Sequence, residues 1–251
     1  MIIKQNKIQK AVILTAGAGK RMLPLTAFIP KALLPVGKRF ALQVVTEEAV
    51  LAGLTQLCCV VDESLVVQKL ITYLKQTSPL FEKIDFYFVT QSTPLGSGDA
   101  LSKAKDFCGG DPFVMLNCDD LFSGNACLAL ASSFNGASVL GVKGIKRHQS
   151  VKYGVVTFFN DKRIKGILEK PRLSQVPPDP YILVGRYLFV ADIFDYLTKI
   201  KPVNGEYRLT DAINLLTAKT DVCAVCLKEK RFDAGSFEGY YEAFSYFSKK
   251  R

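Results

Sequence analysis

Arg21 and Lys31 stand in and just after the stretch "TAGAGKRMLP" (residues 15–24), beside Gly17 and Gly19. Glycines there let a backbone take positive φ and come close to a ligand. A turn after a strand can also present a row of N–H groups to an anion. The two cations add charge, and a guanidinium binds two phosphate oxygens at once. The stretch lacks both the G-x-x-x-x-G-K-[ST] of a Walker loop and the third glycine of a dinucleotide fingerprint. A strand–Gly–x–Gly turn is equally an ordinary tight turn. Asp119 and Asp120 close the apolar run "PFVMLNCDD", and Asp233 lies far downstream in the turn "RFDAG". Two carboxylates brought together suit a hard cation such as Mg²⁺, which leaves room for substrate phosphates. Taken singly, each aspartate serves as well as a helix cap or turn residue. Lys170 follows Glu169 in "EKP". Glu206 in "NGEYRLTDA" precedes a helical pattern, where a carboxylate can accept sugar hydroxyl hydrogens.

These residues need elements to carry them. "AVILTAG" reads as a buried strand, and residues 40–52 as an amphipathic helix with Leu42, Val45 and Ala49 on one stripe, stopped by Gly53. Residues 57–61 form a second strand, 64–75 a second helix and 84–90 a third strand leading to "QSTPLGSG". Residues 99–107 read as one helix, and "PFVMLNCDD" as a fourth strand that stops at the paired aspartates. This alternation predicts an α/β fold with a parallel sheet covered by helices on both faces. Ligands then belong outside the carboxyl ends of the strands. The glycine loop, Gln91 and Asp119 all fall at such ends. After residue 138, "ASVLGV", "YGVVTFF", "RIKGILEKP" and "YILVGRYLFV" read as antiparallel additions to the same sheet. Helices over 191–198 and 209–218, the strand "VCAVCL" and a last helix over 236–247 complete a single domain. Its two halves would span about 8–137 and about 138–251. "SQVPPDP" reads as a surface loop.

The 251 residues, 49% of them hydrophobic, suffice for a full core, and the net charge of +10 suits an anionic partner or simply solubility. The terminal "SKKR" is too short for a nucleic-acid arm, and no RNA-binding signature is present. "MIIKQNKIQK" has no apolar signal-peptide core, and no apolar run reaches the ~18 residues of a membrane span. The expectation is a cytoplasmic protein whose seven cysteines stay reduced. "CAVC" has no second pair or histidine beside it for zinc, so "VCAVCL" reads as a strand with two buried thiols. With His148 the single histidine, and placed in an exposed basic stretch, a histidine base is not expected.

Nine stretches in order, "AVILTAGAGKRMLPLT", "IPKALLPV", "VTQSTPLGSGDAL", "LNCDDL", "YGVV", "LEKP", "VGRYLF", "GEYRLTDAI" and "FDAGSFEGY", resemble the sugar-1-phosphate nucleotidyltransferases. The resemblance is strongest to the bacterial UTP–glucose-1-phosphate uridylyltransferases and runs over nearly the whole chain. It implies a Rossmann-like, mainly parallel sheet and the joining of a nucleoside triphosphate to a sugar 1-phosphate with release of pyrophosphate. By the same resemblance, Arg21 and Lys31 would grip the triphosphate and Lys170 the sugar phosphate. Ala16, Gly17, Gly19, Lys20, Gln91, Gly96 and Asp119 would hold the nucleotide, with backbone at Ala16 and Gly17, together with Gln91 and Gly96, reading the pyrimidine. Gly154, Glu169, Gly185 and Glu206 would line the sugar pocket. Asp119 and Asp233 would bind Mg²⁺, with Asp120 ranked below Asp119. Homo-oligomers fit the resemblance; nucleic acid and membrane partners do not.

The chain departs from the pattern at Lys20, where a Thr or Ser is usual, at Ala32, where an acid is lost, and at Gly205 and Arg208 on the rim of the sugar pocket. The connection into the third strand and the C-terminus are short. A thymidylyltransferase shares most of these motifs, although "VGRYLF" and "LTDAI" favour the uridylyl branch. A non-catalytic sugar-nucleotide sensor would be expected to lose Arg21, Lys31, Asp119 or Asp233, and all four are present.

Overall fold

The computed structural model describes residues 8–160 and 163–249. Most of the amino-terminal stretch read for a signal sequence, and the end of the "SKKR" cluster, lie outside these residues. Lys10–Leu14 forms β1, in which Ala11, Val12 and Ile13 are fully buried. A small antiparallel ribbon follows, β2 (Pro35–Val36) with β3 (Arg39–Phe40). Next come α1 (Ala41–Leu51), β4 (Gln56–Val61), α2 (Val66–Thr77) and β5 (Asp85–Thr90). Helices α3 (Ser97–Ser102) and α4 (Lys105–Cys108) lead to β6 (Phe113–Asn117), and β7 (Asp120–Phe122) leads to α5 (Ala126–Ser132). The second half contains β8 (Ser138–Gly144), α6 (Arg147–Ser150), β9 (Gly154–Phe158), β10 (Ile164–Glu169) and β11 (Tyr181–Phe189). It closes with α7 (Ile193–Leu197), α8 (Leu209–Thr217), β12 (Val222–Cys226), β13 (Arg231–Asp233) and α9 (Phe237–Ser248).

Local sequence explains the main boundaries. α1 stops where Gly53 takes φ +88° just past its last turn. α2 buries Val67, Leu70, Ile71 and Leu74, a single i, i+3, i+4, i+7 stripe. The Asn125 side chain caps α5 by accepting the Leu128 N–H at 2.8 Å, and Ser236 caps α9 by accepting the Gly239 N–H at 3.2 Å.

The main sheet runs β10–β9–β11–β6–β1–β4–β5, with β8 beside β11 and β12 beside β8. The β6–β1–β4–β5 block is parallel, as the alternation predicts. β11 then reverses against β6, and β8, β9 and β10 extend the sheet antiparallel, as expected; β12 joins β8 in parallel. Alternate side chains along the central strands feed two cores. Ala11, Ile13, Cys59 and Leu116 face α1, α2, α5 and α9, while Val12, Cys58 and Met115 face α3, α7 and α8. Leu14 lies opposite both Val60 and Asn117 in register, so the carboxyl ends of β1, β4 and β6 share one edge.

Four expectations are corrected. The two aspartates do not close a strand together: β6 stops at Asn117, Asp119 sits in the turn, and Asp120 opens β7. "RFDAG" is not simply a turn, because Arg231–Asp233 is a strand paired antiparallel with β7, setting Asp233 opposite Asp120. The single helix over 99–107 is two, interrupted at Lys103 and Ala104. "VCAVCL" is a strand, but its thiols are not both buried: Cys223 is half-buried and Cys226 exposed, since β12 ends its branch of the sheet.

Candidate active site

The first strand delivers its loop to the shared edge. Gly19 has φ +62°, and a Cβ there would lie 2.7 Å from Thr26 Cγ2; the Thr26 hydroxyl donates to the Gly19 carbonyl at 2.9 Å. Gly17 has no positive φ, contrary to the expectation for both glycines. What it contributes is room, with nothing within 4 Å of a built Cβ. The following turn sinks Met22 into the core and leaves Lys20 and Arg21 outside. Lys31 opens another short turn, with Ala32 fully buried beneath it. Ala32 therefore answers to packing.

Arg21 and Lys31 meet the two carboxylates that β7 and β13 bring together. Lys31 Nζ donates to Asp119 Oδ2. Arg21 reaches Asp233 at 3.3 Å and Asp119 at 3.9 Å. Burial would raise the pKa of Asp119, but Lys31 and Arg21 outweigh it and hold the group below the ordinary carboxylate value. Asp120 has a different job. Its Oδ1 accepts from Arg231 at 2.6 Å and its Oδ2 from the Gly185 N–H at 2.7 Å, so it braces the strands under the site. Burial pushes its pKa up, against the pull of Arg231.

Two adjoining cavities open here, of about 450 and 770 Å³, and share Arg21, Gly96, Asn117, Asp119, Lys170 and Glu206. The smaller is lined by the expected nucleotide set, Ala16, Gly17, Gly19, Lys20, Gln91 and Gly96, together with Lys31. The larger is lined by Gly154, Glu169, Gly185 and Asp233. Every residue singled out for the site thus borders one cavity or both. Gln91 is buried, and its amide N–H groups donate to the Gly96 carbonyl at 3.2 Å and to Asp99 at 2.7 Å. Lys170 holds φ +44°, a conformation unfavourable for a side-chain-bearing residue, while its side chain stays exposed at the junction.

Several residues at the site were not singled out from the sequence. The Tyr153 hydroxyl donates to Asp233 Oδ2 at 2.9 Å, and its pKa is raised by burial and then by that carboxylate. Gly235 leaves space at the centre: a Cβ there would lie 2.5 Å from Arg21 and Lys31 and 2.8 Å from Asp119. Asn117 and Arg231 complete the floor. All four lie inside stretches already quoted, "YGVV", "LNCDDL" and "RFDAG", but nothing local gave them a role, because each acts through a partner from a distant segment. Among the described residues no group of three or more His, Cys, Asp or Glu is arranged to hold a metal.

Residues 10–250 match the family model described as Nucleotidyl transferase. The chain belongs to the nucleotidyl transferase family. This nucleotidyl transferase is 32% identical to UTP–glucose-1-phosphate uridylyltransferase 2 of Staphylococcus saprophyticus, over 94% of this chain and 90% of that protein. It is 31% identical to the corresponding enzyme 1 of the same organism, over 97% and 94%. A UDP-glucose pyrophosphorylase solved with UDP-glucose superposes with a TM-score of 0.88 at 30% identity, covering 97% of this chain and all of that one. The UTP-bound enzyme of Acinetobacter baumannii gives 0.82 at 30% identity, over 96% and 93%. A Bacillus anthracis protein described as a putative thymidylyltransferase, at 22% identity and a TM-score of 0.83, shares the fold.

Proposed function

We propose that this chain transfers the uridylyl group of UTP to glucose 1-phosphate, giving UDP-glucose and pyrophosphate. The observation that carries the reading is the cluster of Arg21, Lys31, Asp119 and Asp233 where the two cavities meet. An oxygen of the sugar phosphate attacks the α-phosphorus, and the bond to the β-phosphate bridging oxygen breaks, its electron pair leaving with pyrophosphate. The attacking oxygen is already ionised, so no base is required and the site's tasks are positioning and charge.

Both reactants are polyanions. Two unit charges at 4 Å repel by about 1 kcal/mol in water and about 4 kcal/mol in a partly dry cleft. Arg21, Lys31 and Lys170 are placed to offset this, the first two on the triphosphate and the third on the sugar phosphate. Lys20, exposed on the same wall, supplies a further cation for the leaving pyrophosphate. Gln91 has its amide N–H groups engaged by the protein, which leaves its carbonyl oxygen to accept from the uracil N3–H. Gly17 and Gly96 admit the base closely. Gly154, Glu169, Gly185 and Glu206 receive the sugar, with the two carboxylates accepting from its hydroxyls.

Asp119 and Asp233 fit Mg²⁺: two neighbouring carboxylates, both answered by cations in this chain, match an ion that takes a few protein oxygens and fills the rest from phosphate and water. Bound there, the ion would neutralise charge building on the phosphates. We place both halves of the chain in one domain, residues 8–137 toward the nucleotide and 138–251 toward the sugar. All seven cysteines are free, which supports a reducing, cytoplasmic setting; no helix among the described residues is long and apolar enough to cross a membrane.

Pyrophosphate release over a matrix of nucleoside triphosphates and sugar 1-phosphates tests the reading. UTP with glucose 1-phosphate should give the highest kcat/KM, and chelator should abolish turnover. Silence with every pair would refute the activity, and undiminished turnover in chelator would remove the metal.

A further inference from the structure

Beneath the site, on the side away from both cavities, lies a charged pair that the reaction does not use. Arg186 on β11 is fully buried and Glu48 on α1 is 7% exposed. The guanidinium grips the carboxylate through two bonds, Nε to Oε1 at 3.0 Å and Nη2 to Oε2 at 2.7 Å. Its remaining fork arm, Nη1, donates to the carbonyls of Gly185 at 2.8 Å and Asn117 at 3.2 Å. The Phe122 ring covers the guanidinium at 4.9 Å, and Glu48 Oε1 also accepts the Cys127 N–H at 3.0 Å.

Asn117 is the last residue of β6, two before Asp119, and Gly185 is the residue whose N–H holds Asp120. The guanidinium therefore fixes, from below, both backbone segments that carry the acidic floor. A buried ion pair is often no more stabilising than apolar residues of equal volume, because desolvation cancels most of the attraction. Five donors in a rigid plane are what only arginine supplies, and here Nε and Nη2 hold Glu48 while Nη1 is left for the carbonyls of Gly185 and Asn117.

We propose that Arg186, held by Glu48, is a positioning residue that sets the Asn117–Asp120 turn for catalysis. The proposal rests on the transferase reading for its kinetic half and on geometry alone for its structural half. Two variants separate the possibilities. Arg186→Lys keeps a cation for Glu48 but cannot also reach both carbonyls. The double variant Glu48→Gln with Arg186→Met removes both charges together. Amide hydrogen exchange, which needs no substrate, should accelerate at least about tenfold at residues 118–121 in both variants while α1 and β4 exchange as in the wild type. In the same preparations kcat should fall about 10- to 100-fold with both KM values within about threefold, because misplacement of about 1 Å is felt in the reacting geometry.

Wild-type exchange at residues 118–121 in either variant overturns the proposal, as does uniform acceleration or failure of both variants to fold, each of which makes the pair a stability element. Local loosening with unchanged kcat overturns the catalytic half. Silence of the wild-type enzyme in the same assay counts against the transferase reading and leaves exchange to decide the structural half.

Discussion

Lys170 and Asp119 do opposite work at nearly the same place. Lys170 sits on strained backbone with its side chain 69% exposed and a long ion pair to Glu169 at 3.9 Å, so its charge is available to a ligand. Replacing it with alanine should leave the unfolding temperature near wild type and raise the glucose 1-phosphate KM at least about tenfold, the loss of one charge-assisted contact worth about 1.5–3 kcal/mol; initial-rate kinetics at saturating UTP will show whether the effect falls there. Asp119 is tied to Lys31 and Arg21. Its depressed pKa means that its stabilising contribution is complete above the ordinary carboxylate pKa of 3.8 and is lost as pH falls through the lower native value. Urea titrations should therefore give Asp119→Asn a shallower loss of stability than the wild type as pH falls below about 4, along with severely reduced turnover. Each aspartate was visible in the sequence as a residue able to bind a cation. The resemblance ranked Asp119 above Asp120, and both border the larger cavity; what the sequence did not show is that Arg231 and the Gly185 N–H engage Asp120, because those partners arrive from distant strands.

Strands and their turns explain why the loop works. Gly19 answers to two constraints at once, a left-handed φ and the Thr26 methyl against it. Gly19→Ala should cost about 1–2 kcal/mol in chemical denaturation, the usual charge for forcing a side chain into that region, and should weaken UTP binding as the loop shifts. The cysteines make a second test at this scale. Cys58 and Cys59 point to opposite faces of β4, where burial pushes the Cys58 thiol up to about 12 and raises Cys59 as well. Protonated and covered, they should resist iodoacetamide in the native protein at pH 8, whereas Cys226 on the outer strand should label first; peptide mapping by mass spectrometry reads this directly. The continuous apolar run "VCAVCL" reads as a strand with both thiols buried, but a run of that kind does not say whether a neighbour covers its far side.

The whole molecule is organised around the seam between β6 and β11. Antiparallel pairing from Arg186↔Leu116 to Phe189↔Phe113 joins the first half of the chain to the second, and one core mixes Ala11 and Ile13 with Leu188, Phe232 and Phe247. Heat or denaturant should produce a single transition seen alike by far-UV circular dichroism and tyrosine fluorescence, and a fragment ending at residue 137 should not fold alone. Metal binding should also be a property of the assembled site. Arg21 and Lys31 pair with the two aspartates and would compete with a cation for them. Mn²⁺ affinity measured by calorimetry should therefore be weak for the free protein and rise when a triphosphate draws the cations away, and Arg21→Gln should strengthen it in the absence of nucleotide.

Composition and alternation were enough for the parallel block and the antiparallel extension, and motif order for a glycine loop and a set of charged and small residues that all border the cavities. Those features are local: an apolar period, a glycine turn, a charged residue at a strand end. The meeting of Asp119 with Asp233, 114 positions later in the numbering, was not local. It required β13 to come back and pair with β7, and the choice of partner belongs to the packing of α9 and the sheet around it. The same holds for Tyr153 on Asp233, for the space at Gly235 and for Arg186 beneath Asn117. A residue type states what chemistry a side chain can do; only the folded chain settles which partner it meets, because contacts between distant segments follow from how strands register and how the core fills.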